Sequence, residues 1–505
     1  MTLPFPTRVP LLPAVVFTVV LVLVLVQLVE GTDPRYSALT FAFFMLSVLA
    51  FNTAEGLARP SGAYIFFFSL LVVDVGTVYK AILGQAAQTN LQQPLLMMSI
   101  YVATMGAMLV AAFVTRKIAT TKDGLAVVLH VRRFDFRASA LGCLVVYSLM
   151  MLAVATLPQG GGQVLHALMV VNPFLPLSVL LGTIAAVRDS GGRRSTSVIS
   201  LAGMVYIFVI GLTSFSKQGM FMPVVCWLIG AAWARYRLRL KHLVFLVCFA
   251  VLAQEILVPI SASRNDVQTG TFSERMGLIE HYFTHLEELR RRTREWQAPS
   301  DLDWRNYYYG QPQGIFDRLS MLPNDSVLIS FSDQGHYFGY TAVWFYFGDW
   351  IPHLLSPHKL EGLAVGGNAY SHEMGGLADA DTTTGISFSP AAEAYHIDGW
   401  RGVLVLQPLI FLMLFASTNA VCGDIRRQPW GLFLILDFAH VAPEALLGGA
   451  ISATRLGNIG IAVAIVFCGY ITPVIGMLLS GQRMRLELDA NRSTNRRFGG
   501  ALRAS

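Results

Sequence analysis

The residues whose types and spacing could do chemistry fall into two groups, one in a polar stretch between Ser261 and Arg401 and one inside apolar runs. The polar stretch holds 7 of the chain's 11 histidines and 18 Asp and Glu against 10 Lys and Arg. Within it, His281 and His285 stand four apart with Glu288 one turn on, a spacing that on a helix brings metal-ligand types to one face. Asp379 and Asp381 form an Asp-x-Asp, the pattern that in nucleotide-sugar transferases holds a divalent ion against a diphosphate; acidic residues are equally at home in turns of a Gly- and Thr-rich stretch such as this. A wet helix and a turn account for both, so no metal and no other cofactor is expected. Asp74, Lys80, Glu255, Asp437, His440 and Glu444 lie in or at the ends of apolar runs, where an ionisable side chain is costly and is kept for pairing or for function. Asp437, His440 and Glu444 are spaced three and four apart and so stack on one helix face. That stripe suits structural pairing or a role in binding, with proton relay as its transporter reading.

The apolar runs are the elements that must position these groups. Of 505 residues, 54% are hydrophobic and 13% charged, where a soluble domain carries about 25% charged residues. The apolar excess lies in runs of about 20 residues, the length that crosses roughly 30 Å of hydrocarbon. The pattern is that of an all-α, polytopic membrane protein. We count 12 spans, near 11–29, 37–57, 62–83, 94–114, 138–157, 164–187, 198–215, 218–234, 243–260, 402–420, 430–450 and 459–480. The first run is too long for the apolar core of a cleaved leader and is read as a retained span. Five cysteines (Cys143, Cys226, Cys248, Cys422, Cys468) lie in or at the ends of these runs, so no disulfide framework or zinc knuckle is expected.

Basic residues alternate between loops. One set of loops and the two ends carry 23 Lys and Arg, the opposite short loops only Arg35, Lys217 and Arg455. Because positively charged loops stay cytoplasmic, both termini are expected in the cytoplasm, and the net charge of +6 reports topology rather than nucleic acid. The chain then divides into nine spans over 1–260, a large external loop over 261–401, three spans over 402–480 and a basic cytoplasmic tail over 481–505. In the external loop, 271–297 reads as an amphipathic helix with Met276, Ile279, Phe283, Leu286 and Leu289 at helical spacing. Thr271 and Glu274 offer a capping box, and Arg290, Arg291, Arg292 and Arg294 close the far end. The apolar piece Tyr337 to Leu355 is read as interfacial or re-entrant, since a thirteenth crossing would put the arginine-rich tail outside. The division into nine and three spans argues against two equivalent transporter halves.

The stretch from this piece to the tenth span resembles the outer loop of the Wzy-type oligosaccharide repeat-unit (O-antigen) polymerases. The resemblance is carried by Ile351-Pro352, Pro357-His358-Lys359, Gly366-Gly367-Asn368, Gly385, Glu393-Ala394-Tyr395 and Gly399-Trp400-Arg401-Gly402. It is supported by Phe215-Ser216-Lys217-Gln218, Ser263-Arg264 and the arginine of IFDRLSMLP, Arg318. It covers roughly residues 210 to 405 at motif level. His353 departs from it, standing after Pro352 where the family often has arginine.

The resemblance implies a lipid-donor (GT-C-like) glycosyltransferase at the periplasmic face of the bacterial inner membrane. It would move a glycan from undecaprenyl diphosphate to a sugar hydroxyl of another lipid-linked repeat unit, with a chain-length regulator as a further partner. The leaving diphosphate needs fixed cations, a role in which arginine's planar fork excels. Arg264, Arg318, Lys359 and Arg401 are the candidates, with Lys217 and Arg455 on two short external hairpins. The acceptor hydroxyl needs a base in reach. Glu393 is the first choice, next to Tyr395 and just before the tenth span, then His372 and His396, then Asp398. Tyr307, Tyr308, Tyr309 and Trp304 offer ring faces for sugars. An O-antigen ligase has the same layout, and a secondary transporter or flippase would explain the intramembrane acids without an enzyme.

Overall fold

A computed structural model of the chain describes residue 5 and residues 11–118, 124–131, 135–156, 169–257, 259–260, 272–296, 308–311, 313, 316–348, 350–351, 365–377, 381 and 385–475. Among the described residues there is no strand; a single isolated bridge pairs Phe388 with Ala445. Helices α1 (Pro13–Val29), α2 (Pro34–Thr53), α3 (Pro60–Ile82), α4 (Pro94–Ile118) and α5 (Phe136–Thr156) are followed by α6 (Phe174–Asp189), α7 (Val198–Thr213), α8 (Lys217–Trp233) and α9 (Leu240–Leu252). The polar segment forms α10 (Phe272–Thr284), α11 (Leu286–Trp296), α12 (Leu322–Asp333), α13 (Thr341–Gly348) and α14 (Gly367–Glu373). The chain continues through α15 (Pro390–Cys422), α16 (Gly431–Glu444) and α17 (Leu446–Ile475).

Six of these, α2, α3, α4, α5, α15 and α17, are long and apolar enough to cross a membrane. The protein is therefore a helical membrane protein. The other expected spans fall on the shorter helices α1, α6, α7, α8, α9 and α16. Helix starts follow their sequence signals. Proline occupies the first turn of α1, α2, α3 and α15, where its missing N–H costs nothing. Asp33 accepts from the N–H of Arg35 and Tyr36 at the start of α2, and Ser197 with Ser200 forms a capping box on α7. Close packing of α7 on α8 depends on Gly211 and Gly219: a methyl on Gly211 would stand 2.3 Å from the Gly219 carbonyl carbon.

Loops that alternate along the chain gather at opposite ends. At one end the Ala87 N–H donates to Gln27 Oε1 (2.7 Å), Gln85 Nε2 to the Tyr309 carbonyl (3.1 Å) and Asn90 Nδ2 to that of Tyr308 (3.3 Å). At the other, the Ile425 N–H donates to the Ala58 carbonyl (3.0 Å), Trp233 Nε1 donates to that of Ile425 (2.7 Å), and the Arg188 guanidinium lies over the Phe136 ring.

The structure corrects three expectations. The hairpin expected at 451–458 is absent: α17 runs through it without a break, and the reversal comes at Glu444–Leu446, after Pro443, with Leu446 at φ +59°. Arg455 therefore lies inside a helix and not on an external turn. The tenth span was expected to open at 402, but its helix begins at Pro390, where Ser389 supplies the cap. The single amphipathic helix is two, α10 and α11, interrupted at His285; Ile279 and Leu289 are buried against α8 and α9, while Met276 and Phe283 stay exposed. Among the described residues, the apolar piece after Tyr337, expected not to cross, forms the eight-residue α13, about 12 Å at 1.5 Å per residue and too short to cross. Asp74 and Lys80 do not pair: Ser69 Oγ donates to Asp74 at 2.7 Å, and Lys80 donates to Thr89 Oγ1 at 2.8 Å under the Tyr308 ring.

Candidate functional site

Helices α12, α13 and α14 pack over the first turns of α15 and α17, and polar side chains join all five. Asp325 ties α12 down. Its Oδ1 accepts the N–H of Ser389 (2.9 Å) and its Oδ2 the hydroxyl of Tyr101 from α4 (2.7 Å). Burial lifts the Asp325 carboxyl to about 6, against these donors, which favour the ionised form. One turn into α15, Glu393 is fully buried. The Tyr346 hydroxyl of α13 and the Tyr370 hydroxyl of α14 both donate to its Oε1 at 2.7 Å, and the Leu447 N–H donates to its Oε2 at 2.5 Å. Leu447 is in the first turn of α17, whose N–H groups have no partner within the helix. Glu393 thus caps α17 from another helix, where a carboxylate also meets the positive end of the helix dipole. Strand-like pairing of Phe388 with Ala445 brings the two helix starts together.

The expected base is consequently a clamp in this conformation: both oxygens are occupied and neither reaches solvent. His396, one turn on, is equally enclosed. Ser332 donates its hydroxyl to the Leu328 carbonyl at 2.7 Å, so the 2.9 Å contact between Ser332 and His396 is a bond from the ring's Nδ1–H. Its Nε2 lies 3.4 Å from Glu373 Oε2. His372 is half-buried and donates Nε2–H to the Asp381 carbonyl at 2.8 Å, which fixes the loop after α14. The Tyr395 hydroxyl donates to Asp333 Oδ1 at 3.1 Å.

Two residues after His396 the helix kinks. Asp398 (φ −157°) and Gly399 (φ +53°) leave helical geometry, and the carbonyls of His396 and Ile397 accept the N–H groups of Phe338 (2.8 Å) and Gly339 (3.1 Å) instead. The kink turns Asp398 outward, half-buried, with Oδ2 accepting the Tyr340 hydroxyl at 2.9 Å. Around it stand the exposed rings of Tyr337, Tyr340 and Trp400 and the exposed Arg401. The charge of Arg401 reaches the Tyr340 phenol, which the bond to Asp398 pushes above its ordinary range. This kink brings open chemistry together: a carboxylate, a guanidinium and ring faces on one surface.

The other expected cations are not gathered here. Arg318 is exposed in a 3₁₀ turn after Phe316, which stacks on Tyr79 of α3 at 3.9 Å. Lys217 opens α8. Arg455 is half-buried, eight residues beyond Leu447 and so about 12 Å along α17. Arg264, Lys359, Trp304 and Tyr307 lie outside the described residues, as do Asp379, Pro352 and His353. Tyr308 and Tyr309, expected as sugar platforms, are buried under α3. Among the described residues no group of three or more His, Cys, Asp or Glu has the arrangement of a metal site; His285 donates Nδ1–H to the His281 carbonyl at 3.1 Å. Sequence reasoning missed Tyr346, Tyr370, Ser332 and Asp325, for which the one available signal is that a buried polar group must find a partner. In a comparison with known proteins, no family model, no curated protein and no solved structure matches the chain.

Proposed function

We propose that the protein is a membrane glycosyltransferase of the repeat-unit polymerase type, with its active site at the kink of α15. The reading rests on one observation: Asp398, Arg401, Tyr340, Tyr337 and Trp400 share an open surface where an apolar helix begins. A lipid-linked sugar diphosphate needs that combination of a cation for the diphosphate, ring faces for the sugars and a base, all within reach of the bilayer. In this reading Asp398 takes the role first expected of Glu393. The acceptor hydroxyl gives its proton to Asp398 while its oxygen bonds to the anomeric carbon. The bond from that carbon to the diphosphate oxygen breaks, and the diphosphate leaves with the electron pair, neutralised by Arg401 and by the loop arginines and lysine that the family resemblance nominates. The donor and acceptor would be undecaprenyl-diphosphate glycans at the periplasmic face of the inner membrane.

The test is the size distribution of carrier-linked glycan in the native host with the gene deleted, then restored as wild type, Asp398→Asn or Glu393→Gln. The expected result is a single repeat unit on the carrier in the deletion and with Asp398→Asn, and long chains with wild type. Long chains on the carrier in the deletion strain would overturn the polymerase reading; they would indicate a ligase if transfer to lipid A had failed. Transport has one observation in its favour, the His440–Glu444 pair (3.2 Å) within apolar α16, and would leave glycan length unchanged in every strain.

A further inference from the structure

At the end of the bundle opposite Glu393, where α15 finishes at Cys422, a cavity of about 510 Å³ opens between the ends of α5, α6 and α7. Its charged lining is Arg137, Arg193 and Arg194 against the single acid Asp189. These arginines come from two loops far apart in the sequence. Arg137 is at the start of α5, and Arg193 and Arg194 are brought round by a tight turn with Gly191 at φ +58° and Gly192 at φ +81°, a conformation that glycine adopts without strain.

Several other cations at this end have partners within the fold. Arg59 pairs with Glu55 at 3.7 Å, Arg426 with Asp424 at 2.5 Å, and Arg188 lies over Phe136 and Trp233. Among the described residues Arg137, Arg193 and Arg194 have no carboxylate within salt-bridge distance, and their side chains are exposed. The first turn of α7, capped by Ser197, adds the positive end of a helix to the same wall. A basic surface that only kept its loops in the cytoplasm would have no reason to converge on a hollow.

Val198 and Ile199 give the cavity an apolar side. Val198 is 85% exposed, and from it Leu201, Val205 and Val209 continue an exposed stripe down α7. From Arg137, Leu141, Val145, Leu149 and Leu152 do the same down α5. Both stripes repeat every three or four residues, so each follows one helix face. We propose that this cavity is a binding site for an anionic phospholipid, its phosphate held by Arg137, Arg193 and Arg194 and its acyl chains lying along the two stripes. Guanidinium forks match phosphate oxygens, and the adjoining apolar faces select a lipid over free phosphate. The site is independent of the glycosyltransferase reading and would stand if that reading fell.

The test uses the full-length protein in phosphatidylcholine nanodiscs doped with phosphatidylglycerol, with bound lipid counted by native mass spectrometry. Arg137→Gln/Arg193→Gln/Arg194→Gln should bind phosphatidylglycerol about tenfold or more weakly than wild type. A control, Arg237→Gln/Arg239→Gln/Lys241→Gln, removes the same charge from the same set of loops outside the cavity and should bind as wild type. If the triple variant does not fold, Arg194→Gln alone should still weaken binding severalfold, since its side chain is exposed. Equal weakening in the control would overturn the proposal in favour of diffuse surface charge. Displacement of the lipid by inorganic phosphate at matched concentration would overturn it in favour of a free-anion site.

Discussion

A buried carboxylate needs a donor for each oxygen, because an uncompensated charge away from water costs several kcal/mol. Glu393 meets that need with two phenols and one N–H, and the same contacts close it to substrate. Tyr346→Phe and Tyr370→Phe should each lower stability by about 1–3 kcal/mol, and the pair should be non-additive because both serve one oxygen. Thermal unfolding of the purified protein reads both effects. Asp398→Asn should remove activity and leave the melting temperature unchanged, since Asp398 has one partner and faces outward. Glu393→Gln with an unchanged melting temperature and no activity would return Glu393 to the role of base. Asp325 gives a pH dependence. Its folded carboxyl titrates at about 6 against an ordinary value of 3.8, so between those values the folded chain holds the proton that the unfolded chain has lost. Stability from this group therefore falls as pH rises through that window. A plot of melting temperature against pH should slope downward there in the wild type and flatten in Asp325→Asn.

At the scale of elements, the kink in α15 is what separates the enclosed Glu393 and His396 from the open Asp398 and Arg401. It depends on two glycines. Gly399 takes φ +53°, and a methyl on Gly402 would stand 1.8 Å from the Ala394 carbonyl oxygen. Gly399→Ala should cost about 1–2 kcal/mol from the left-handed backbone alone, and loss of activity beyond the loss of folded protein would mark the kink as part of the site. Leucine-rich runs and proline starts made the helices themselves legible, since both act locally. The helix breaks were legible only in part. Pro443 and Gly399 are punctuation in the sequence, but nothing at 451–458 distinguishes a turn from a continuing helix, because the apolar run with small residues and one arginine suits either. The partners of Glu393 were not legible, because Tyr346, Tyr370 and Leu447 converge from three separate elements and only packing brings them together. Asp398 was legible as a candidate but ranked last, since its exposure follows from a kink rather than from its neighbours in the chain.

For the whole molecule, the loops that parity separates also separate in space. Ala58, Trp233, Ile425 and Arg188 gather at one end, and Gln27, Ala87, Asn90 and Tyr308 at the other. Hydrophobicity alone cannot say which end is cytoplasmic; the excess of Lys and Arg at the first of these ends predicts that it is, because moving such loops across the membrane is disfavoured. On that prediction the end bearing the α15 kink is external, which the proposed transferase would require, and the arginine cavity would face the cytoplasmic leaflet. In a Cys248→Ser background, which removes the one exposed native thiol among the described residues, single cysteines at Gln334 and Arg237 report the two ends, both positions being exposed. A membrane-impermeant maleimide should label Gln334→Cys in intact spheroplasts and Arg237→Cys only after the membrane is opened. The reverse pattern would put the kink surface in the cytoplasm and rule out a periplasmic polymerase, while labelling of both in intact cells would mean that the helices between them do not span as an alternating set.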